Sequence, residues 1–527
     1  MQSSGKTART RAGWVPLTLA TAVVLGGATS AYAIVTSLGL VGDLHEPQGV
    51  HFDQFTALDL VQSGQGQAAF EGAFAEGDEL FETQFNALDG VGANVGDGQR
   101  FTRVPRADLD GGNQWANHTP ARATGPNAQA CNQCHIIPFD DGAGTPAMNV
   151  HRDPGQTASL GAFIQRNTPH LFGIGALQRL AEEMTEDLHA IRAAVADQAC
   201  RTGRPKTRSL DAKGVSYGAI TAVPVSQEPC EAEFDVSAVE GVNGDLVVKP
   251  LQWKGSTATV RDFNRGAAHN EIGMQAVEIA GDGVDGDFDG VADEMTVGDM
   301  TAMAIYVAAQ PRPTTRQELA SFGIIPPLTA EENAAIARGG RVFAQVGCAD
   351  CHRPALKIDV PVFAEPSGNE NFRDAVFPAG QDPVARGVDP EFPVAFDLTQ
   401  DHPDNHIEDE FGNLVFNLGT FRTDNRGRAV VELYGDLKRH DMGPGLAESI
   451  DEVGTGASVW LTKELWGVGS TAPYLHDGRA TTLTEAILEH GGEAAGSRDA
   501  FERLPLGDQA ALIAFLDNLV LFKAEEE

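Results

Sequence analysis

The sequence predicts a mainly α-helical fold with two helical domains, a small β insertion and long loops. Apolar residues recur at helical spacing in residues 176–197, 295–309 and 331–343. Residues 200–253 are richer in valine, with alternating character that is typical of short strands. A Cys-x-x-Cys-His sequence occurs twice, once on each side of a Pro-rich stretch. We therefore expect one copy in each helical domain.

The first 33 residues have the features of a signal peptide. Residues 1–11 contain three basic and no acidic residues, residues 14–27 are mostly apolar, and Ala31-Tyr32-Ala33 matches a small-residue cleavage site. An uncleaved membrane anchor is the alternative. Later apolar runs are too short to span a bilayer. We expect cleavage after Ala33, no integral membrane segment in the mature chain, and a periplasmic or secreted location.

Proline-rich stretches divide the remaining chain into two predicted domains. The stretches at residues 310–313 and 325–327 are typical of a linker. The N-terminal domain would cover residues 34–325, with the β insertion near residues 200–253, and the C-terminal domain would cover residues 326–527.

Each predicted domain has further local signals. A helix is expected at residues 67–85, and strands at residues 217–225 and 245–251. Thr329 is a typical cap for the helix that leads to the second Cys-x-x-Cys-His copy. Residues 355–430 are rich in Pro, Asp and Asn and predict a long loop, and helices close the chain.

The chain is strongly acidic. Lys and Arg number 38 against 74 Asp and Glu, a formal charge of −36. Such a surface repels nucleic acid and anionic membranes, so nucleic-acid binding is excluded as a function class. A solvated acidic surface without a specific role explains the charge equally, and a basic redox partner would also suit it.

The two Cys-x-x-Cys-His copies predict two haem c groups. This spacing puts both thiols and the imidazole on one helical turn, so the thiols can bind the vinyl groups while histidine reaches the iron. A zinc site of four thiolates is the alternative, but the pairs lie more than 200 residues apart. We predict cytochrome c-like haem domains whose covalent cysteines and proximal histidines are Cys131, Cys134 and His135, then Cys348, Cys351 and His352.

The second axial ligand decides what a haem does, because a filled position favours electron transfer and an open one admits an oxidant. For the first haem, His151 is the leading candidate, since its Gly/Pro-containing loop could fold over the ring. Met148 in the same loop and His170 before a helix are alternatives.

For the second haem, His490 at the end of a predicted helix is the leading distal candidate. His440 and Met442 are the alternatives. Nearby, His476 is a candidate partner of a haem propionate, and Arg479 could bind one with two hydrogen bonds.

Two cysteines remain outside the haem motifs, Cys200 and Cys230. In an oxidising compartment we expect them to form a disulfide. Two free buried thiols are the alternative.

An acidic loop predicts a calcium site. Asp285, Asp287, Asp289 and Asp293 occupy positions 1, 3, 5 and 9, with glycine at position 6. Position 12 is a threonine rather than glutamate, and Glu294 could replace that ligand. An acidic turn without metal is the alternative.

With these residues in place, the chain resembles the di-haem oxidoreductases described as peroxidases or thiol oxidoreductases, related to bacterial di-haem cytochrome c peroxidases and MauG-type enzymes. The last matching segment, which contains Pro473-Tyr474-Leu475-His476, is the most specific. The matching segments are residues 77–81, 85–90, 125–127, 167–173, 465–469 and 472–480.

The resemblance implies unequal haems. In the relatives, a methionine shortly after the Pro-Tyr-x-His segment binds a high-potential haem. Here His490 stands near that position, which would give a lower potential. His151 matches the spacing of the removable ligand of the haem that meets peroxide.

The resemblance also implies residues around the haems. Gln275 and Glu278 are candidates for the amide and acid near peroxide. Trp253 and Trp466 are candidates for the tryptophan that relays electrons between haems, with packing in a core as the alternative.

The function that follows is a peroxidase-like di-haem oxidoreductase. Two haems store two electrons, which matches a two-electron oxidant such as hydrogen peroxide. Electrons would come from a small redox protein or a quinol-linked chain. The alternatives are an electron-transfer cytochrome without substrate turnover and an oxidase of an organic or thiol substrate.

Overall fold

The protein is described by a computed structural model over residues 46–111, 114–373, 381–401, 403–408 and 414–524. The predicted signal peptide lies outside the described residues. Helix makes up about 35% of the structure and strand about 15%, so the fold mixes both and the mainly α prediction holds only in part. No described helix is both long and apolar enough to cross a membrane.

The helices follow the predicted apolar periodicity, and the capping signals work as expected. Thr329 accepts the Glu332 N–H, and the Glu332 carboxylate accepts the Thr329 N–H, a complete capping box. In chain order, α1 to α11 are Gln54–Gln62, Gly66–Glu82, Ile174–Thr202, Val260–Ala267, Val277–Ala280, Val297–Ala308, Arg316–Ser321, Ala330–Gln345, Leu483–Leu488, Ala495–Glu502 and Leu506–Leu516, with a π-helical turn at Ala268–Ile272 after α4.

The strands are short and form small antiparallel sheets. Strands β3, β4 and β5 make a three-stranded sheet, and the others pair in twos: β1 with β2, β6 with β15, β7 with β12, β8 with β9, β10 with β11, and β13 with β14. In chain order, β1 to β15 are Val150–Arg152, Ile164–Arg166, Lys206–Ala212, Val215–Ser226, Glu231–Asp235, Thr314–Thr315, Leu356–Ile358, Val362–Glu365, Val394–Asp397, His406–Glu408, Leu414–Asn417, Ala429–Val431, Arg439–Asp441, Val459–Leu461 and Leu519–Val520.

At two helix crossings, a glycine allows the backbones of the two helices to pack in direct contact. In α2, a Cβ at Gly77 would lie 2.3 Å from the Ala302 carbonyl oxygen of α6. In α8, a Cβ at Gly339 would lie 1.9 Å from the Ala511 carbonyl oxygen of α11. One apolar core surrounds the first crossing and another the second. Each Cys-x-x-Cys-His copy lies beside its own crossing, since Phe81 of α2 contacts His135 and Phe343 of α8 contacts His352.

The β insertion packs against the long helix α3. Strands β3 to β5 follow that helix directly, and a disulfide joins Cys200 in its last turn to Cys230 before β5. The disulfide closes the loop that contains β3 and β4. The insertion is therefore joined to the helix both by the chain before β3 and by the disulfide before β5.

Removing this disulfide is expected to lower the free energy of unfolding by about 3.5 kcal/mol, because the unfolded chain regains the freedom of a 30-residue loop. Urea unfolding of the C200S/C230S double variant, followed by circular dichroism, measures the loss. Wild-type protein unfolded in the presence of a reductant should match the variant. A variant as stable as the oxidised wild type would contradict the expectation.

Residues 245–251 were predicted as a strand and do not form one. The Asp245 carboxylate accepts the Val247 N–H at 3.0 Å, and Leu246 has a φ of 64°. The Val248 N–H donates to the Thr185 hydroxyl of α3 at 3.0 Å. The backbone N–H groups of Val247 and Val248 therefore donate to side chains rather than to a neighbouring strand. Polar side chains close to the backbone can replace the hydrogen bonds of a sheet in this way.

The segment at residues 355–430 is not a plain loop either. Over its described residues it contains β7 to β12, and β12 returns to pair with β7. The short strand pairs hold this long segment beside α2 and α3. Phe363 in β8 and Phe396 in β9 are buried in the larger apolar core.

Candidate functional site: two Cys-x-x-Cys-His cavities

The first motif forms a tight turn that orients its histidine. Cys131–Gln133 is a 3-10 turn, and the His135 Nδ1–H donates to the Gly142 carbonyl at 3.0 Å. This bond leaves Nε2 as the nitrogen that can bind a metal. Burial lowers the pKa of His135 to about 4, so the ring is neutral, as a ligand must be.

The cavity beside His135 is small and apolar. Its volume is about 30 Å³, and its walls come from α2, α4, the π-helical turn and α6. The donor set of two thiols and one imidazole fits a covalent haem, whereas pockets for ligands of that size usually measure about 300 Å³ or more. The donors at this site therefore fit the group, while the cavity is smaller than the group.

The second motif repeats the first. Cys348–Asp350 is a 3-10 turn, and the His352 Nδ1–H donates to the Tyr434 carbonyl at 3.1 Å. Burial lowers the pKa of His352 to about 4. The sequence analysis missed Tyr434, and no pattern marks it, because only its backbone oxygen is used.

A cavity of about 330 Å³ opens beside His352. It is mainly apolar, and Cys348, Cys351 and His490 also line it. Size, walls and donors all fit a haem bound through the two cysteines. Among the described residues, no possible metal-binding cluster combines the two cysteine pairs, which disfavours the four-thiolate zinc alternative.

His490 lies opposite His352 across this cavity. The two ring centres are 6.4 Å apart, and the His490 Nδ1–H donates to the Ala486 carbonyl at 2.7 Å. Two imidazoles that bind one metal from opposite sides, each through a bond of about 2 Å, have ring centres roughly 6 to 6.5 Å apart. Both Nε2 atoms are left for that metal.

The alternatives to His490 are placed differently. The two ring nitrogens of His440 are engaged, by Asp436 at 3.0 Å and by Glu493 at 2.8 Å. Burial lowers the pKa of His440, but these hydrogen bonds outweigh that effect and raise it to about 11. A protonated imidazole cannot bind a metal. Met442 lines the cavity and remains the alternative ligand there.

Of the two predicted propionate partners, His476 lines the same cavity and Arg479 does not. His476 stacks on Trp460, with ring centres 3.9 Å apart, and lines the cavity. Arg479 is paired with Asp477 and donates to the Gly445 carbonyl at 2.9 Å. Trp460 was not a sequence candidate, because its stacking joins separate segments of the chain.

The structure shows the surroundings of two of the three candidates for the distal ligand of the first haem, His151 and His170. His151 lies in β1, outside the walls of the small cavity, and its Nδ1 is buried with no hydrogen-bond partner among the described residues. The His170 Nε2–H donates to the Trp466 carbonyl at 3.1 Å, and His170 lines the larger cavity. Burial lowers the pKa of His170 to about 4.

The segment Asn167 to His170 connects the two sites. Its Thr168 carbonyl accepts the Gly144 N–H, two residues from the Gly142 carbonyl that orients His135. On the other side, the Trp253 indole N–H donates to the Asn167 carbonyl at 2.8 Å. Both predicted relay tryptophans, Trp253 and Trp466, line the larger cavity.

The predicted peroxide residues do not line either cavity. Glu278 is fully buried and paired with Arg261 and Arg265. Gln275 is 2% exposed, and its amide lies against the acidic loop at Gly286.

The acidic loop brings three of its four predicted ligands together. Carboxylate oxygens of Asp285, Asp287 and Asp289 lie within 4.8 Å of one another. Asp293 is outside this group, and its carboxylate accepts the Gly283 N–H at 2.6 Å. Burial, with the neighbouring carboxylate of Asp289, raises the pKa of Asp287 to about 7.

Comparison with known proteins gives a family match to part of the chain and matches to solved structures. A MauG-like protein associated with microbial copper homeostasis is 17% identical over 51% of this chain and 68% of that chain, with a TM-score of 0.25. No curated protein matches the chain. Residues 426–519, which include the Pro-Tyr-x-His segment and His490, match the family described as "Di-haem oxidoreductase, putative peroxidase". The resemblance to the di-haem oxidoreductases is thereby confirmed, and the match lies over residues 426–519.

Proposed function

We propose that this protein is an exported di-haem c-type oxidoreductase that passes electrons between two covalent haems to a small oxidant such as hydrogen peroxide. The observation that carries the proposal is the pair of Cys-x-x-Cys-His sites with unequal surroundings. When bound, haem supplies a redox-active iron to each site. The acidic surface suits a small basic donor protein, and a quinol-linked chain is the other candidate donor.

The second site would store and pass electrons. Cys348 and Cys351 would hold the macrocycle, while His352 and His490 would occupy both axial positions. The facing imidazoles support this role, because two nitrogen ligands leave no position for an oxidant. The apolar walls would exclude water from this cavity. The charge of the bound group would then change on reduction in surroundings without water, which influences its redox potential.

The first site would meet the oxidant. Cys131, Cys134 and His135 would hold the group, and His151 would be the distal ligand that leaves when the second site is reduced. A short two-stranded sheet carries His151, and its unpartnered Nδ1 supports a ring that can turn. The boundary between the two haem domains would fall near residue 325.

Electrons would pass through the segment from Asn167 to His170. Its contacts with the Gly144 loop on one side and with Trp253 on the other support a short path between the sites. The buried, neutral His170 donates a hydrogen bond to the Trp466 backbone carbonyl and so extends this path towards Trp466.

Spectroscopy of the purified holoprotein tests the proposal. Electron paramagnetic resonance of the ferric and half-reduced forms should show one low-spin haem throughout and one that becomes high-spin on half-reduction. Stopped-flow absorbance should then show reduction of hydrogen peroxide by the half-reduced form. Two low-spin haems in every redox state, with no peroxide turnover, would contradict the proposal.

An electron-transfer cytochrome is the second candidate, and one observation favours it. The first cavity measures only about 30 Å³ and is lined by apolar side chains from four segments. Such walls leave little room for an oxidant beside the iron. The same half-reduced spectra separate the two functions.

Replacing His151 with alanine is expected to make the first haem high-spin in the fully ferric protein, because its distal ligand is gone. With an electron donor present to supply the two electrons that peroxide reduction needs, turnover should then start without the lag that half-reduction imposes on the wild type, and its first turnover should be about tenfold faster or more. M148L, which changes the alternative ligand of the same loop, is the matched control and should keep the wild-type spectrum. A low-spin spectrum in H151A, or a high-spin one in M148L, would exclude His151 as the ligand.

A further inference from the structure

Two separate stretches of the chain orient the two facing imidazoles of the larger cavity. The proximal stretch, residues 434–443, begins with Tyr434, whose carbonyl accepts the His352 Nδ1–H at 3.1 Å. The distal stretch, residues 490–494, begins with His490 just after α9. Because each ring is oriented by its own part of the chain, the two rings keep their spacing only if the two stretches keep theirs.

The two stretches pack backbone to backbone. A Cβ at Gly492 would lie 2.0 Å from the Asp441 carbonyl oxygen, and a Cβ at Gly491 would lie 2.7 Å from the Met442 carbonyl oxygen. Glycine permits this close approach, whereas a larger residue would displace one of the chains. The glycines therefore set how closely the two stretches approach.

His440 joins the two stretches through carboxylates at both of its nitrogens. Its Nδ1–H donates to Glu493 Oε2 in the distal stretch at 2.8 Å, and its Nε2–H donates to Asp436 Oδ2 in the proximal stretch at 3.0 Å. The other oxygen of each carboxylate is also used, since Glu493 Oε1 accepts the Asp441 N–H and Asp436 Oδ1 accepts the Lys438 N–H, both at 2.9 Å. Ionised carboxylates only accept hydrogen bonds, so the ring donates from both nitrogens and carries a positive charge.

The charged ring lies beside the second Cys-x-x-Cys-His motif. A His440 ring nitrogen, an Asp436 carboxylate oxygen and the Cys351 sulfur lie within 4.8 Å of one another. The His440 side chain is 11% exposed and lines the cavity. A positive charge in this position, only partly screened by water, favours the reduced state of a bound redox group, because reduction adds negative charge.

We propose that His440 is a positioning residue of the second site, which bridges the proximal and distal stretches and so holds His352 and His490 at their spacing across the cavity. Asp436 lies two residues after Tyr434, and Glu493 lies three residues after His490, so each end of the bridge is close to the group that it fixes. This role rests on the proposed function in one respect, since it needs a haem in the second site that takes both imidazoles. His440 restrains His490 without binding the iron itself.

Carbon monoxide binding to the reduced holoprotein tests the bridge. CO can bind the second haem only after His490 leaves, so the rate at saturating CO measures the loss of that ligand. The phase that belongs to the second haem is identified with H490A, in which binding does not wait for a ligand to leave. H440Q and E493Q each break the bridge and should raise this rate about tenfold, the factor expected for a lost hydrogen bond between charged groups. Both variants should keep a low-spin ferric spectrum, because His490 is still present.

Redox titration of the same variants tests the charge. H440Q removes a positive charge and should lower the midpoint potential of the second haem. E493Q removes a negative charge while His440 keeps Asp436 as a partner, so it should raise that potential, by a smaller amount because Glu493 is 55% exposed. The first haem should keep its potential in both variants. General loosening of the fold would not shift the potential of the second haem in opposite directions.

E489Q is the matched control for E493Q. Glu489 directly precedes His490 and undergoes the same chemical change, but it is exposed and does not line the cavity. This variant should keep the wild-type rate of CO binding and the wild-type potential. An acceleration in E489Q equal to that in E493Q would overturn the bridge as the cause.

The remaining outcomes separate this role from the proposed function. A wild-type second haem that is not low-spin overturns the axial pair, and with it the role of His440. Beside a low-spin wild type, unchanged CO binding in both H440Q and E493Q overturns the bridge alone. Shifts of the potential with the same sign in the two variants overturn the charge assigned to the ring. E493Q provides the comparison if H440Q fails to fold, because Glu493 is the more exposed end of the bridge.

Discussion

Alanine in place of His490 is expected to convert the second haem from a low-spin to a high-spin ferric spectrum. His490 faces His352 at 6.4 Å between ring centres, and its Nδ1 is already held by the Ala486 carbonyl. Removing the ring leaves one axial position without nitrogen, and a weaker ligand such as water gives a high-spin iron. Electron paramagnetic resonance and the visible spectrum of the ferric holoprotein measure the change.

The controls for His490 are its two sequence alternatives. M442L changes a side chain that lines the same cavity, and H440Q removes a ring that Asp436 and Glu493 hold by both nitrogens. Both variants should keep the low-spin spectrum. A high-spin spectrum in M442L together with an unchanged one in H490A would transfer the ligand role to Met442.

Alanine in place of Gly77 or Gly339 is expected to lower the free energy of unfolding by about 2 kcal/mol. The added Cβ would lie 2.3 Å from the Ala302 carbonyl oxygen in the first crossing and 1.9 Å from the Ala511 carbonyl oxygen in the second. Neither oxygen belongs to a flexible side chain, so the helices must separate. Urea unfolding, followed by circular dichroism and by haem absorbance, measures the loss.

Each crossing has a matched control in the same helix. A Cβ at Gly72 of α2 meets nothing within 4 Å, and a Cβ at Gly340 of α8 makes an ordinary 3.5 Å contact with the Phe515 ring. Because alanine favours a helix over glycine by up to about 1 kcal/mol, G72A and G340A should be neutral or stabilising. Destabilisation of a control equal to that of its partner would contradict the crossing as the cause.

The candidate site is predictable from the sequence where it depends on neighbours in the chain. A histidine directly after two cysteines must share their turn, and both copies form the same 3-10 turn with the ring held by a carbonyl. The same holds for Thr329, whose cap depends on a residue three positions away. Such contacts follow from local geometry alone.

Which residues lie across a cavity from the motif histidine depends on tertiary packing, so the sequence alone does not decide between the candidates. His440 and His490 are comparable as candidates in the sequence, yet carboxylates hold both nitrogens of His440. Asp293 fits the spacing of a calcium ligand, yet its carboxylate accepts the Gly283 N–H, whereas carboxylate oxygens of Asp285, Asp287 and Asp289 lie within 4.8 Å of one another.

The sequence by itself therefore determined the two Cys-x-x-Cys-His turns, the main helices with their caps, and the resemblance to the di-haem oxidoreductases. Only the tertiary structure decided that His490 faces His352, that one cavity is about ten times larger than the other, and that residues 245–251 are not a strand. The physical reason is that metal-ligand geometry, cavity volume and the pairing of backbone donors depend on segments far apart in the chain.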